Sequence, residues 1–170
     1  MKLSPNWLRD FVDLQVNYHQ LADEITLAGI AVEGISGEGE GTVFEMEITT
    51  NRPDAMNHYG VARECSALYD LPLRPIEPKL PKSEGKADFV ISIEDKEGCA
   101  RYTARIIRGV SIKTSPDAIV KRLASVDQRA INNAADASNY TLWEMGHPTH
   151  AFDLDLLEGG KIIVRRVGVR

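Results

Sequence analysis

Residues 30–48 decide the fold class of the first part of this chain. They read Ile30-Ala31-Val32-Glu33-Gly34-Ile35, then Ser36-Gly37-Glu38-Gly39-Glu40-Gly41, then Thr42-Val43-Phe44-Glu45-Met46-Glu47-Ile48. In the last segment Phe44, Met46 and Ile48 alternate with Glu45 and Glu47, the period of a half-buried strand. Ile30 to Ile35 reads as a second strand, and the polar glycine-rich run between them as a flexible connection.

Helical signals flank this strand pair. Ser4-Pro5 is a helix start, because serine can accept an orphan amide and proline's fixed φ suits the first helical turn. Trp7, Leu8 and Phe11 follow on one face. A second helix is expected from Asn17, with Gln20 making a capping-box-like pair, Leu21, Ile25 and Ala28 facing inward, and Gly29 ending it. These two helices are expected to pack together. Downstream, Asn51-Arg52-Pro53-Asp54 is a turn, and a helix with Val61, Cys65 and Leu68 on its inner face comes next. The first domain is therefore α+β, with a winged-helix-like outline, over residues 1–78.

Prolines at 72, 75, 78 and 81 and the run Lys82-Ser83-Glu84-Gly85-Lys86 support neither a helix nor a central strand. Residues 79–85 are read as a linker and residues 86–170 as a second domain. There Phe89-Val90-Ile91, Tyr102 to Ile107 and Lys161 to Val167 are expected strands. Ser115-Pro116 opens a helix bearing Ile119, Val120 and Leu123. Another helix runs from about Ala134 to Glu144 before the Gly146-His147-Pro148 break.

Residues 1–78 hold 5 Lys+Arg against 13 Asp+Glu, a net charge of −8, whereas residues 79–170 net +3. A nucleic-acid-binding role for the first domain is disfavoured by that charge, and any polyanion is expected to meet the second half. Cys65 and Cys99 form no CxxC pair and no Cys/His cluster, so they read as ordinary buried or half-buried thiols. No stretch approaches the roughly 18 apolar residues of a membrane span, and no apolar signal core follows Met1, so a cytoplasmic address is expected.

No phosphate-binding glycine loop, nucleophile elbow or HExxH occurs. Chemistry could gather at Asn132, Asn133, Asp136, Ser138 and Asn139, with Thr149-His150 just after the Pro148 break. Asn and Ser disfavour helix interiors, so several in one apolar-flanked helix suggest polar groups aimed at something. Backbone caps are the competing reading, and the residues alone leave the two open.

Several segments taken in order carry a resemblance. Asn6-Trp7-Leu8 with Ala28-Gly29-Ile30-Ala31-Val32-Glu33-Gly34, Glu47-Ile48-Thr49-Thr50-Asn51-Arg52-Pro53-Asp54 and Gly60-Val61-Ala62-Arg63-Glu64 are similar to the N-terminal part of the bacterial phenylalanyl-tRNA synthetase β subunit. Arg101-Tyr102-Thr103-Ala104-Arg105, Ile131-Asn132-Asn133 through Asp136, Asn139-Tyr140 and His150-Ala151-Phe152-Asp153-Leu154 resemble the front of that subunit's editing domain. The resemblance implies an α+β domain followed by the incomplete front of an α/β editing domain, which removes tyrosine wrongly attached to phenylalanine tRNA. It also places Ser138, Asn139 and His150 in the editing pocket.

The resemblance further implies an α-subunit partner in a heterotetramer of two α and two β chains, and phenylalanine tRNA as the RNA partner. ATP and Mg2+ would serve the parent enzyme's synthetic reaction, with no cofactor, metal or synthetic site in this stretch. Two departures stand out. An OB-like tRNA-binding domain is usually inserted between the first strands, where this chain has only Ser36 to Gly41. The chain also ends at Arg170, ahead of the strands that supply an acidic pocket residue, and is expected to be a fragment or truncated product. A non-catalytic bracing role is the rival reading.

Overall fold

The computed structural model describes residues 1–83, 85 and 87–168. Glu84 in the expected linker, Lys86 at the start of the expected second domain, and Val169-Arg170 at its end lie outside the described residues. The elements are β1 (Lys2–Leu3), α1 (Pro5–Leu8), α2 (Tyr18–Leu27), β2 (Ala31–Ser36), β3 (Val43–Glu47), α3 (His58–Leu68), β4 (Val90–Ile93), α4 (Asp117–Ser125), α5 (Asn133–Met145) and β5 (Lys161–Val164). The fold is α+β. It divides into two compact units, Met1–Pro78 with Ile112–His150, and Lys79–Ser111 with Ala151–Arg170. Residues 112–150, grouped with the second domain by the sequence reading, thus pack in the same unit as residues 1–78.

In the first unit an antiparallel sheet has the order β1-β3-β2, and Ser36 pairs with Val43 across the short connection. Strand β3 turns Phe44 and Met46 inward and Glu45 and Glu47 outward, as the alternation predicts. Helix α2 is capped by the Asn17 side chain, which accepts from the Gln20 amide, while the Gln20 side chain reaches Glu24 instead of closing a capping box. Leu21, Ala22 and Ile25 form its buried face; Ala28 is exposed, being one turn too far along. The buried faces of α1 and α2 enter one core, as expected, but each helix packs chiefly on another element. Helix α1 docks on α3 and α2 on β2, because the sheet offers α2 a broader apolar surface than a four-residue helix does.

The core comprises Leu3, Trp7, Leu8, Phe11, Leu21, Ile25, Phe44, Met46, Val61 and Cys65 among others. Burial pushes the Cys65 thiol up to about 12, which leaves it a packing group. Leu68, expected on the inner face of α3, is 41% exposed because it sits at the last turn of the helix. The Asn51–Asp54 turn and the start of α3 lock together. A Cβ on Gly60 would lie 1.9 Å from the Asp54 carbonyl oxygen, so only glycine permits that approach. Arg52 pairs with Asp54 and Glu64, and Arg63 adds a second contact to Asp54, whose carboxyl is held below its usual range by the Arg52 hydrogen bonds.

In the second unit β4 and β5 run parallel, with Val90 opposite Lys161 and Ile93 opposite Val164. The expected strand over Tyr102 to Ile107 does not form. Its alternation is real, but among the described residues no strand lies beside it to take its backbone hydrogen bonds, and Ile107 stays 71% exposed. Strand β5 is also shorter than expected, ending at Val164. Arg166 pairs with Asp95 at 2.6 Å and with Glu97 at 3.1 Å.

Candidate functional site

Helix α5 carries the polar cluster, and its first turn is built from three of the five candidates. The Asn132 side chain accepts from the Ala134 and Ala135 amides and caps the helix. The Asn133 side chain accepts from the Lys113 amide. Asp136 is fully buried, accepting from the Ser115 hydroxyl at 2.5 Å and from the Ile131 amide at 2.8 Å. Its carboxylate staples the start of α4 to the start of α5. These three are structural, which corrects the reading of the whole cluster as one wall of ligand contacts: caps and staples consume their polar atoms.

Ser138 and Asn139 differ. Both are half-buried in the middle of α5. Ser138 does not bond back to its own helix. Its hydroxyl donates to the Thr149 carbonyl at 2.7 Å and shares a 2.8 Å hydrogen bond with the Thr149 hydroxyl. With the Ser138 proton committed to the carbonyl, the Thr149 hydroxyl is the donor in the second contact. Asn139, half-buried beside Ser138, makes no side-chain hydrogen bond to the described residues.

The return of the chain is set by Gly146, which ends α5 in the left-handed region at φ 71° with its amide donating to the Leu142 carbonyl. A Cβ there would lie 2.6 Å from the Asn57 side-chain nitrogen, so any other residue would also have to displace that side chain. The chain then passes Pro148 and lays Thr149 on Ser138, leaving His150, the next residue, exposed. Thus Thr149 and Ser138 are joined directly, and Asn139 and His150 are each one residue from that contact. Thr149 was legible only as the neighbour of His150; its hydroxyl partnership depends on the Gly146 turn.

The opposite face of α5 is gripped. His58 is fully buried and stacks on Trp7, with ring centroids 4.0 Å apart. Its Nε2 accepts from the Ser4 amide at 3.1 Å and its Nδ1 donates to the Trp143 carbonyl at 2.8 Å. That pattern requires the neutral ring, and burial holds the imidazole down to about 4. Trp7 also donates to Glu144 at 3.4 Å and packs on Tyr140. Arg122 from α4 donates to the Tyr140 hydroxyl at 2.6 Å, pairs with Asp10 and lies over the Trp7 ring. Sequence reading passed over His58, although it shares the helical spacing of the buried Val61 and Cys65.

A hollow of about 370 Å³ in the second unit is lined by Glu94, Asp95, Arg165, Arg166 and Gly168. Its acids and arginines face each other, and the Arg166 hydrogen bond holds the Asp95 carboxyl below its usual range. Among the described residues no group of three His, Cys, Asp or Glu is placed to hold a metal ion, and no helix is long and apolar enough to cross a membrane.

Comparison with known proteins matches residues 98–168 to the B3/4 domain. The match covers the part that contains α5 and the Ser138–Thr149 contact. A β subunit of phenylalanine-tRNA ligase from Rhodopirellula baltica is 38% identical over 167 residues, 97% of this chain and 24% of the relative. Those of Thermotoga maritima and Syntrophotalea carbinolica are 46% and 47% identical over 72% of this chain and 16% of each relative. Over nearly all of its length the chain is similar to the N-terminal part of phenylalanine-tRNA ligase β subunits. It spans about a quarter or less of the length of these relatives. Because the Rhodopirellula match covers nearly all of this chain in 167 residues, it crosses the Ser36–Gly41 connection without room for an inserted domain on either side.

Proposed function

We propose that this chain works as the N-terminal part of a phenylalanine-tRNA ligase β subunit, and that residues 86–170 form the front of a domain that hydrolyses tyrosine from phenylalanine tRNA. Ser138, Asn139 and His150 are its pocket residues. The observation that carries this reading is the Ser138–Thr149 contact: a mid-helix serine turned away from its own backbone toward a returning loop that ends on an exposed histidine. The family match over residues 98–168 supports it.

In the hydrolysis a water oxygen bonds to the ester carbonyl carbon, the bond to the terminal ribose oxygen breaks, and that oxygen takes up a proton. His150 orients the water, the Asn139 side-chain amide donates to the substrate carbonyl, and the hydroxyl pair of Ser138 on α5 and Thr149 in the returning loop receives the phenol that distinguishes tyrosine from phenylalanine. The parent enzyme joins phenylalanine to its tRNA in the cytoplasm with ATP and Mg2+, together with an α subunit in a tetramer of two α and two β chains. The chemistry proposed for this region uses neither ATP nor metal. Hydrolysis of tyrosyl-tRNA by the parent enzyme with His150→Ala tests the reading: a fall in hydrolysis with unchanged phenylalanine activation supports it, and unchanged hydrolysis contradicts it.

A further inference from the structure

We propose that His58 is a positioning residue for the editing site, acting through helix α5. This rests on the editing reading above.

Helix α5 has two working faces. Asp136, Tyr140, Trp143 and Glu144 recur at helical spacing and point toward α1, α3 and α4; Ser138, two residues before Tyr140, points nearly the opposite way. Whatever fixes the first face fixes the second. The staple at Asp136 holds only the start of the helix, leaving rotation and sliding of the later turns to be set elsewhere. His58 sets them. The Trp143 carbonyl is among the last four of α5, which have no partner within the helix, and the His58 Nδ1–H supplies one at 2.8 Å.

The other ring nitrogen accepts the Ser4 amide, an orphan donor at the start of α1. One imidazole therefore ties the beginning of the chain to the end of α5, between two backbone atoms that cannot move independently of their helices. Trp7 and Arg122 close around it, fixing the ring plane and the Tyr140 hydroxyl. Gly146 follows within three residues of Trp143 and starts the turn that delivers Thr149 and His150. A loosened last turn would therefore shift the hydroxyl pair and the histidine together. His58 touches neither substrate nor reacting atoms in this scheme; it acts by aiming the groups that do.

The test uses the full-length parent enzyme with its α subunit, measuring kcat and KM for tyrosyl-tRNA hydrolysis beside phenylalanine-dependent pyrophosphate exchange. His58→Ala is expected to lower the hydrolytic kcat on the order of ten-fold, with KM and pyrophosphate exchange within about two-fold of wild type. Arg122→Lys keeps the core filled but loses the planar guanidinium over Trp7, and is expected to give a smaller fall of the same kind, about three-fold. It decides the matter if His58→Ala fails to fold. Normal hydrolysis in both variants, while Ser138→Ala and His150→Ala are impaired, would overturn the positioning role and leave the editing reading standing. Normal hydrolysis in all four would overturn both. Parallel loss of hydrolysis and exchange would show a general folding defect and overturn the specific role.

Discussion

The two compact units make opposite use of similar sequence patterns. Every buried apolar side chain among the described residues, from Leu3 to Val126, lies in the first unit, whereas the second holds a two-stranded parallel pair with Val90 57% and Ile163 41% exposed. Strand β3 and the stretch 102–107 both alternate apolar and polar residues. Only β3 has a neighbour on each side and a helical layer to cover its apolar face. Alternation states which face would be buried; it does not supply the surface that buries it. An isolated strand pair is marginal in water, so the first unit is the one that can hold a site rigidly.

The largest expected effect is in hydrogen exchange. Amides of α3, α5 and β3 are expected to be protected by several orders of magnitude more than those of β4 and β5, reflecting opening of the second unit without unfolding of the first. Equal protection by mass spectrometry would abolish the contrast. Core truncation sharpens it: Trp7→Ala should cost about 3 to 5 kcal/mol in denaturant unfolding, and Ile162→Ala about 1 kcal/mol or less. Similar losses would mean that the second unit has a core of its own.

Acid sharpens the comparison further. His58 in the folded chain is held to about 4, below its ordinary 6.5, by burial, with the nearby Arg122 charge acting in the same direction. The unfolded chain then binds more protons between those values, so stability is full above about pH 6.5 and falls as pH drops toward 4. The total loss is roughly 3 kcal/mol, near 1.4 kcal/mol per pH unit. Glu144 reaches the same cluster through Trp7. The Glu24, Asp54 and Asp95 carboxyls, all lowered by hydrogen-bonded partners, begin to lose their contributions only below about 4.5, so they add to the slope at the acid end of this window alone. Denaturant titrations from pH 7 to 4 should show the slope, and His58→Gln should flatten it. The smallest effect expected is at the helix cap: Asn132→Ala should cost about 1 kcal/mol by the same unfolding measurement, from the loss of two accepted amides.

Much of this fold was legible. Ser4-Pro5, Asn17, Gly29 and the alternating Phe44 and Met46 act locally, and local signals survive in any tertiary setting. The helix at α5 and the Gly146 break were legible for the same reason. What could not be read was partnership at a distance. Nothing near Asp136 names Ser115, 21 residues away, and nothing near His58 names Trp143, 85 residues on. Residues 112–150 pack with residues 1–78 because Tyr140 and Trp143 lie against a core whose other members are encoded before the proline-rich segment. The candidate site was separable only in part: Ser138 and His150 are proposed on residue type and resemblance, while Asn132 and Asn133 looked equally suggestive until their side chains were seen to serve backbone amides.

The most direct test of the account is the rate at which the parent enzyme hydrolyses tyrosyl-tRNA when Ser138, Asn139 and His150 are all replaced by alanine. The account predicts that hydrolysis falls at least on the order of a hundred-fold, by loss of several orienting contacts, while phenylalanine activation stays within about two-fold of wild type. Hydrolysis at the wild-type rate would contradict it and leave α5 as a brace alone.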